Sequence, residues 1–155
     1  MTSPRAVLHV GLPKTGTSFV QGVLRANVDT LARHGVRLPP GAETYPSQDL
    51  FLAVLYVTGR SEAWGRSAEA GRRAWDRISA DVRRHQATTV ISSETLCLAT
   101  DDQVQRILAD LAGVEVDVVV TVRDPARQVP AEYQEGVKHG PVSYTHLTLP
   151  TKRIV

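Results

Sequence analysis

The sequence predicts a three-layer α/β domain with a parallel sheet flanked by helices. Three observations carry this. Short β-rich runs, Ala6–Val10, Thr88–Ser92 and Val116–Val122, recur along the chain. Longer stretches with apolar residues at helical spacing lie between them. Each strand is also separated from the next by enough chain for a crossover helix, which parallel pairing requires. Right-handed crossovers then set helices on both faces and gather the strands' C-terminal ends along one edge.

Ala6–Val10 (AVLHV) reads as a buried strand ended by Gly11. Thr17 to about Arg33 reads as one helix through Phe19, Val20, Val23, Leu24 and Leu31, stopped by Gly35. Val36–Leu38 is a brief strand before Pro39-Pro40-Gly41, and Asp49–Val57 a short buried helix. Glu62–His85 reads as a longer, arginine-rich helix with Ala63, Ala70, Trp75, Ile78 and Val82 toward the core. Thr100-Asp101-Asp102-Gln103 has the form of a capping box, opening a helix that runs to about Leu111 and ends before Gly113. Val116–Val122 (VDVVVTV) is the strongest strand. Asp124 then caps a helix with Pro125 in its first position, and Pro130 predicts an irregular first turn or a restart.

Bulk properties narrow the function classes. The 155 residues fit one domain, and 42% hydrophobic against 22% charged residues is ordinary for a globular chain. A formal net charge of +2 gives no argument for nucleic acid or an anionic membrane as partner. Cys97 is the sole cysteine, so no intrachain disulfide forms and a reducing compartment fits. Neither Ala6–Val10 nor Val116–Val122 is long enough for a signal-peptide core or a membrane span. The expectation is a cytoplasmic protein with no membrane span.

Chemistry concentrates in Gly11-Leu12-Pro13-Lys14-Thr15-Gly16-Thr17-Ser18, set between a strand and a helix. Glycines let backbone N–H groups converge on an anion at a helix N-terminus, Lys14 adds positive charge, and the hydroxyls add donors. The loop is of P-loop type, with Gly11, Gly16 and Ser18 fitting the nucleotide pattern. Thr17, however, stands where ATP- and GTP-hydrolysing loops carry lysine, and Lys14 lies inside the loop instead.

Pro13–Ser18 (PKTGTS) after an apolar strand resembles the 5′-phosphosulfate loop of the sulfotransferases that use 3′-phosphoadenosine 5′-phosphosulfate (PAPS). Val118–Val122 followed by Arg123 resembles that family's second hallmark, an apolar strand ending in an arginine. The resemblance spans roughly residues 5–140. It implies that Lys14 contacts the bridging oxygen and sulfuryl group, that Thr15, Gly16, Thr17 and Ser18 hold the 5′-phosphate, and that Arg123 binds the 3′-phosphate. A serine expected eight residues beyond the arginine is replaced by Ala131. PAPS would be the co-substrate, with no metal, and a small-molecule, carbohydrate or lipid acceptor would take the sulfuryl group. The family's base is a histidine or glutamate. Glu94 is the candidate here, against the alternative of a solvated corner carboxylate. His9 reads as a packed core residue, and His34 and His85 as helix-end residues. Arg72, Arg73, Arg83 and Arg84 read as a solvated face. Two alternatives stand beside this reading: a P-loop small-molecule kinase, and a nucleotide-binding module without catalysis.

Residues 141–155 break with the rest of the chain. VSYTHLTLPT (Val142–Thr151) resembles one reading frame of a common transposase sequencing adaptor, which implies a non-native tail, against the alternative of a genuine hairpin or linker. Lys152 and Arg153 lie in this stretch without an acidic residue, so residues 1–140 are formally neutral. The expected organisation is therefore a nucleotide-binding portion, 1–140, incomplete at its C-terminus, and a tail, 141–155. As written, the chain is not expected to be a competent enzyme.

Overall fold

The computed structural model describes residues 3–43 and 48–139; the stretch 141–155, with the expected tail, lies outside the described residues. The chain divides into two compact units, Met1–Val122 and Arg123–Val155.

The first unit is built on a four-stranded parallel sheet. Its strands are β1 (Arg5–Gly11), β2 (Val36–Arg37), β3 (Thr88–Ser92) and β4 (Glu115–Thr121), in the order β2-β3-β1-β4. β1 is paired on both sides, with Leu8 opposite Ile91 and Val118, and His9 opposite Ser92 and Val119. Helices flank the sheet: α1 (Thr17–Ala26), α2 (Val28–Arg33), α3 (Gln48–Val57), α4 (Ala68–Arg84) and α5 (Asp101–Asp110). No helix among the described residues is long and apolar enough to cross a membrane.

Alternation along the strands sorts the residues into core and rim. Ala6, Leu8 and Ile91 share a face and pack with Val54 and Val57 of α3, Trp75, Ile78 and Val82 of α4, and Ile107 and Leu111. Trp75 is 2% exposed, and its indole N–H donates to Asp110 Oδ2 at 2.7 Å, so the largest core side chain is buried with its polar atom satisfied. The α3–α4 contact needs Gly71, because a Cβ there would lie 2.6 Å from the Leu52 carbonyl oxygen and 2.7 Å from Tyr56 Cβ.

Two expected helices are each broken in two. The Thr17–Arg33 stretch divides at Asn27, whose side-chain amide donates to the Val23 carbonyl at 2.8 Å while its backbone leaves the helical region. The Glu62–His85 stretch divides into a 3-10 turn, Glu62–Trp64, and α4. Gly65 closes the turn at φ 58°, and Ser67 Oγ accepts from the Ala70 N–H to start the new helix. Ala63 consequently stands outside the core. The capping box on α5 is present in both halves, Gln103 N–H to Thr100 Oγ1 and Thr100 N–H to Gln103 Oε1.

The helix-end and surface readings of the charged residues hold. His34 and His85 sit one turn beyond carbonyls that their Nδ1 atoms contact, Thr30 and Asp81, each at 2.8 Å. Arg72 bridges Glu69 and Asp76 on the exposed face of α4, and Arg73 joins Glu69. β4 is less covered than its composition suggests: Val118 and Val120 are 60% and 56% exposed.

The described part of the second unit is one helix, α6 (Pro125–His139), capped by Asp124 Oδ1 accepting from the Ala126 N–H at 2.8 Å. Pro130 lies inside it without a restart.

Gly71→Ala is expected to destabilise the fold by about 1–3 kcal/mol, since the clash is with backbone and a Cβ rather than with a flexible side-chain tip. Urea unfolding followed by circular dichroism measures it.

Candidate functional site

The C-terminal ends of β1 and β3 meet the loop that leads into α1. The strand-ending turn is crowded with hydroxyls. A Cβ at Gly11 would clash with Thr17 Oγ1 and lie 2.6 Å from Thr121 Oγ1 and 3.2 Å from Thr15 Oγ1, so any side chain there would displace these hydroxyls. Lys14 holds a left-handed backbone at φ 63°, as does Gly16 at φ 96°, leaving Thr15 between two such residues. This bent backbone is of the kind that turns successive N–H groups inward to form an anion-binding concavity.

α1 starts from this loop with its N-terminal charge uncompensated. Gly16 occupies the N-cap position, no side chain caps the helix, and its first turn holds no acidic residue. By contrast, α4 and α5 are capped by Ser67 and Thr100 and carry Glu69, Asp101 and Asp102 in their first turns. The free amides and the helix dipole therefore leave the end of α1 favourable to an anion. Thr17 Oγ1 is buried there without a hydrogen-bond partner among the described residues.

Beneath the loop runs a polar chain centred on His9, which is buried as its place in the strand predicts. His9 is 4% exposed, with Nδ1 2.8 Å from Ser92 Oγ and Nε2 3.3 Å from Thr121 Oγ1. Thr121 Oγ1 is 3.0 Å from Thr15 Oγ1, and the Thr15 hydroxyl donates to the Leu12 carbonyl at 2.6 Å. Counting protons assigns the directions. Thr15 spends its hydrogen on Leu12, so Thr121 donates to Thr15 and accepts from His9 Nε2–H, and a neutral His9 then accepts the Ser92 hydrogen on Nδ1. The chain closes with a neutral His9. Burial lowers the pKa of His9, and the carboxylate of Glu94 opposes that shift. The only sequence signal for this network was the position of His9, two residues before the strand-ending glycine.

Glu94 joins the same edge. The Ser93 N–H donates to the His9 carbonyl at 3.1 Å, fixing the corner after β3 beside β1. Glu94 is half-buried and opens a 3-10 turn, Glu94–Leu98. Ser18 and Glu94 line one cleft of about 250 Å³, so the structure brings the first turn of α1 and the candidate base to a common space. Lys14, Thr15 and Gly16 belong to the adjoining loop, and Thr17 is the first residue of α1. Arg123 is the first residue of the second unit, two positions beyond the end of β4 in the chain.

Comparison with family models, with curated proteins and with solved structures gives no match.

The lowered pKa of His9 has a signed consequence. The unfolded chain takes up a proton near pH 6.5, whereas the folded chain resists it to lower pH. Stability from the neutral network is therefore present above about pH 6.5 and is lost as pH falls below it. His9→Gln is expected to flatten that decline, as measured by urea midpoints between about pH 7.5 and about pH 5.

Proposed function

We propose that the chain is the nucleotide-binding part of a sulfotransferase that moves a sulfuryl group from PAPS to an acceptor hydroxyl or amine. One observation carries the reading: a strand–loop–helix unit in which an uncapped α1 meets a loop holding Lys14 and Gly16 in left-handed conformations. Such a unit suits a phosphate group, and the unpartnered Thr17 hydroxyl adds a buried donor to it. The choice of PAPS over a nucleoside triphosphate rests on sequence. Lys14 precedes the second glycine, Thr17 fills the kinase lysine position, and Arg123 follows the apolar strand.

In this scheme the acceptor oxygen attacks sulfur as the bond from sulfur to the 5′-phosphate oxygen breaks in line. The bonding pair leaves with the phosphate, giving adenosine 3′,5′-bisphosphate. Lys14 and the α1 amides stabilise the charge growing on that oxygen, and Glu94 takes the acceptor's proton. Arg123 pairs with the 3′-phosphate. The neutral His9 keeps the Ser92–Thr121–Thr15 chain in one register beneath the loop. The protein is then cytoplasmic, and its acceptor is a small molecule, a carbohydrate or a lipid.

Titration calorimetry tests the nucleotide. Adenosine 3′,5′-bisphosphate is expected to bind more tightly than ATP, and tighter binding of ATP with a magnesium requirement would overturn the reading. Arg123→Ala should weaken bisphosphate binding by about 1.5–3 kcal/mol, the worth of a charge-assisted hydrogen bond. Lys14→Ala should change binding less and sulfuryl transfer far more, because its charge acts on the departing group.

Where transfer is measurable, Glu94→Gln is expected to lower the rate about 100-fold or more with nucleotide affinity unchanged. An unaltered rate and pH profile would assign the proton to another group.

A further inference from the structure

The cleft that Ser18 and Glu94 share has a second, apolar wall. Phe51 and Trp64 meet edge to face, with ring centroids 5.6 Å apart and planes at 83°. Both line the cleft, together with Leu50, and Trp64 is 56% exposed although it is one of the chain's two tryptophans. An indole left open on a cleft wall presents a flat surface on which a ring can stack.

The cleft also has polar lining, which follows one stripe of α1. Ser18, Gln21 and Arg25 are three and four residues apart, so they project on one side of the helix. Gln21 Nε2 donates to the Ser92 carbonyl at 3.2 Å, which anchors that level of the helix to the corner bearing Glu94. Arg25 lies one turn farther along, about 6 Å down the helix axis. The cleft is thus lined by the Glu94 carboxylate, the Arg25 guanidinium and the Phe51–Trp64 pair. Its volume, about 250 Å³, suits a single ring better than an extended polymer.

We propose that this cleft takes the acceptor as one hydroxylated six-membered ring bearing an acidic group. The ring stacks on Trp64, the hydroxyl faces Glu94, and the acid pairs with Arg25. A ring that bears both groups can meet both lining residues of the one cleft, and a guanidinium favours a planar carboxylate through paired N–H donors. A cationic substituent would meet Arg25 as a like charge. The role of acceptor rests on the sulfuryl-transfer reading; ring binding itself does not.

The experiment therefore measures ring binding and nucleotide binding separately. Calorimetry compares 4-hydroxybenzoate with phenol, and glucuronate with glucose, which also tells an aromatic from a sugar ring. At least one acidic probe is expected to bind about 10-fold more tightly than its neutral partner. Arg25→Gln should abolish that preference and Arg25→Lys should retain part of it. In protein labelled with 5-fluorotryptophan, the fluorine signal of Trp64, assigned through Trp64→Phe, should move on binding while that of buried Trp75 stays in place. Equal affinity for acidic and neutral probes, a preference unchanged in Arg25→Gln, or no movement of the Trp64 signal would each overturn the proposal. Parallel titration with adenosine 3′,5′-bisphosphate separates the two readings. Ring binding without nucleotide binding would sink the sulfotransferase and leave the ring site standing. Nucleotide binding without ring binding would do the reverse.

Discussion

The site depends on a turn with no room for a side chain. At Gly11 the chain leaves β1 while the hydroxyls of Thr15, Thr17 and Thr121 crowd the space a Cβ would fill. That crowding brings together two separate stretches of chain, residues 11–17 and the end of β4. The Leu12 N–H reaches the Thr121 carbonyl at 3.2 Å, tying the loop to β4, and the Thr15 N–H returns to Leu12 at 3.3 Å, closing the bend. α1 can then begin at Thr17 with its amides turned toward the loop. A methyl group at position 11 would push these groups apart, so loop curvature, helix start and the β1–β4 junction share one steric condition.

The polar chain under the turn answers a different constraint. Buried hydroxyls must find partners, and an unpaired one costs about 1–3 kcal/mol. Ser92 and Thr121 lie at the ends of β3 and β4, and an imidazole on the central strand can reach both because parallel register sets His9 opposite Ser92. Neutral imidazole offers one donor and one acceptor, which is what the two hydroxyls require. An imidazolium would have two donors, and Ser92 would have to turn its hydrogen elsewhere. Burial lowers the proton affinity of His9, which suits the neutral form the network uses, and Glu94 nearby limits how far the shift goes.

Much of this architecture is legible in sequence because it is local. The strands at Ala6–Val10, Thr88–Ser92 and Val116–Val122 declare themselves by β-branched runs, and the structure moves their bounds by one residue at most. The capping box at Thr100 depends on four consecutive residues and reads directly. Side-chain competition with the backbone is harder to see. Asn27 fits a continuous helix by pattern, yet its amide takes the Val23 carbonyl and the helix breaks. The candidate site divides in the same way. The loop 14–18 is a contiguous motif, whereas His9 with Ser92, and Gln21 with the Ser92 carbonyl, are joined only by strand register and helix packing. No spacing in the chain announces that residues 83 positions apart will share a proton.

α1 is the element that couples the two halves of the proposed chemistry. Its N-terminal end offers dipole and amides to an anion, and one of its sides, through Ser18, Gln21 and Arg25, forms a wall of the cleft. A rigid helix fixes the distance between these two functions at 1.5 Å per residue, so a ligand seated at one end is held in register with a ligand lying along the side. Gln21 strengthens this coupling by bonding the helix to the strand end that carries Glu94. Displacing α1 by a single residue would rotate its side chains by about 100° and remove Gln21 from Ser92 and Arg25 from the cleft together. Group transfer between two bound partners needs such a shared frame, because the reacting atoms must meet within a few tenths of an ångström. The constraint at Gly11 is what sets where α1 starts, and through it where both partners would sit.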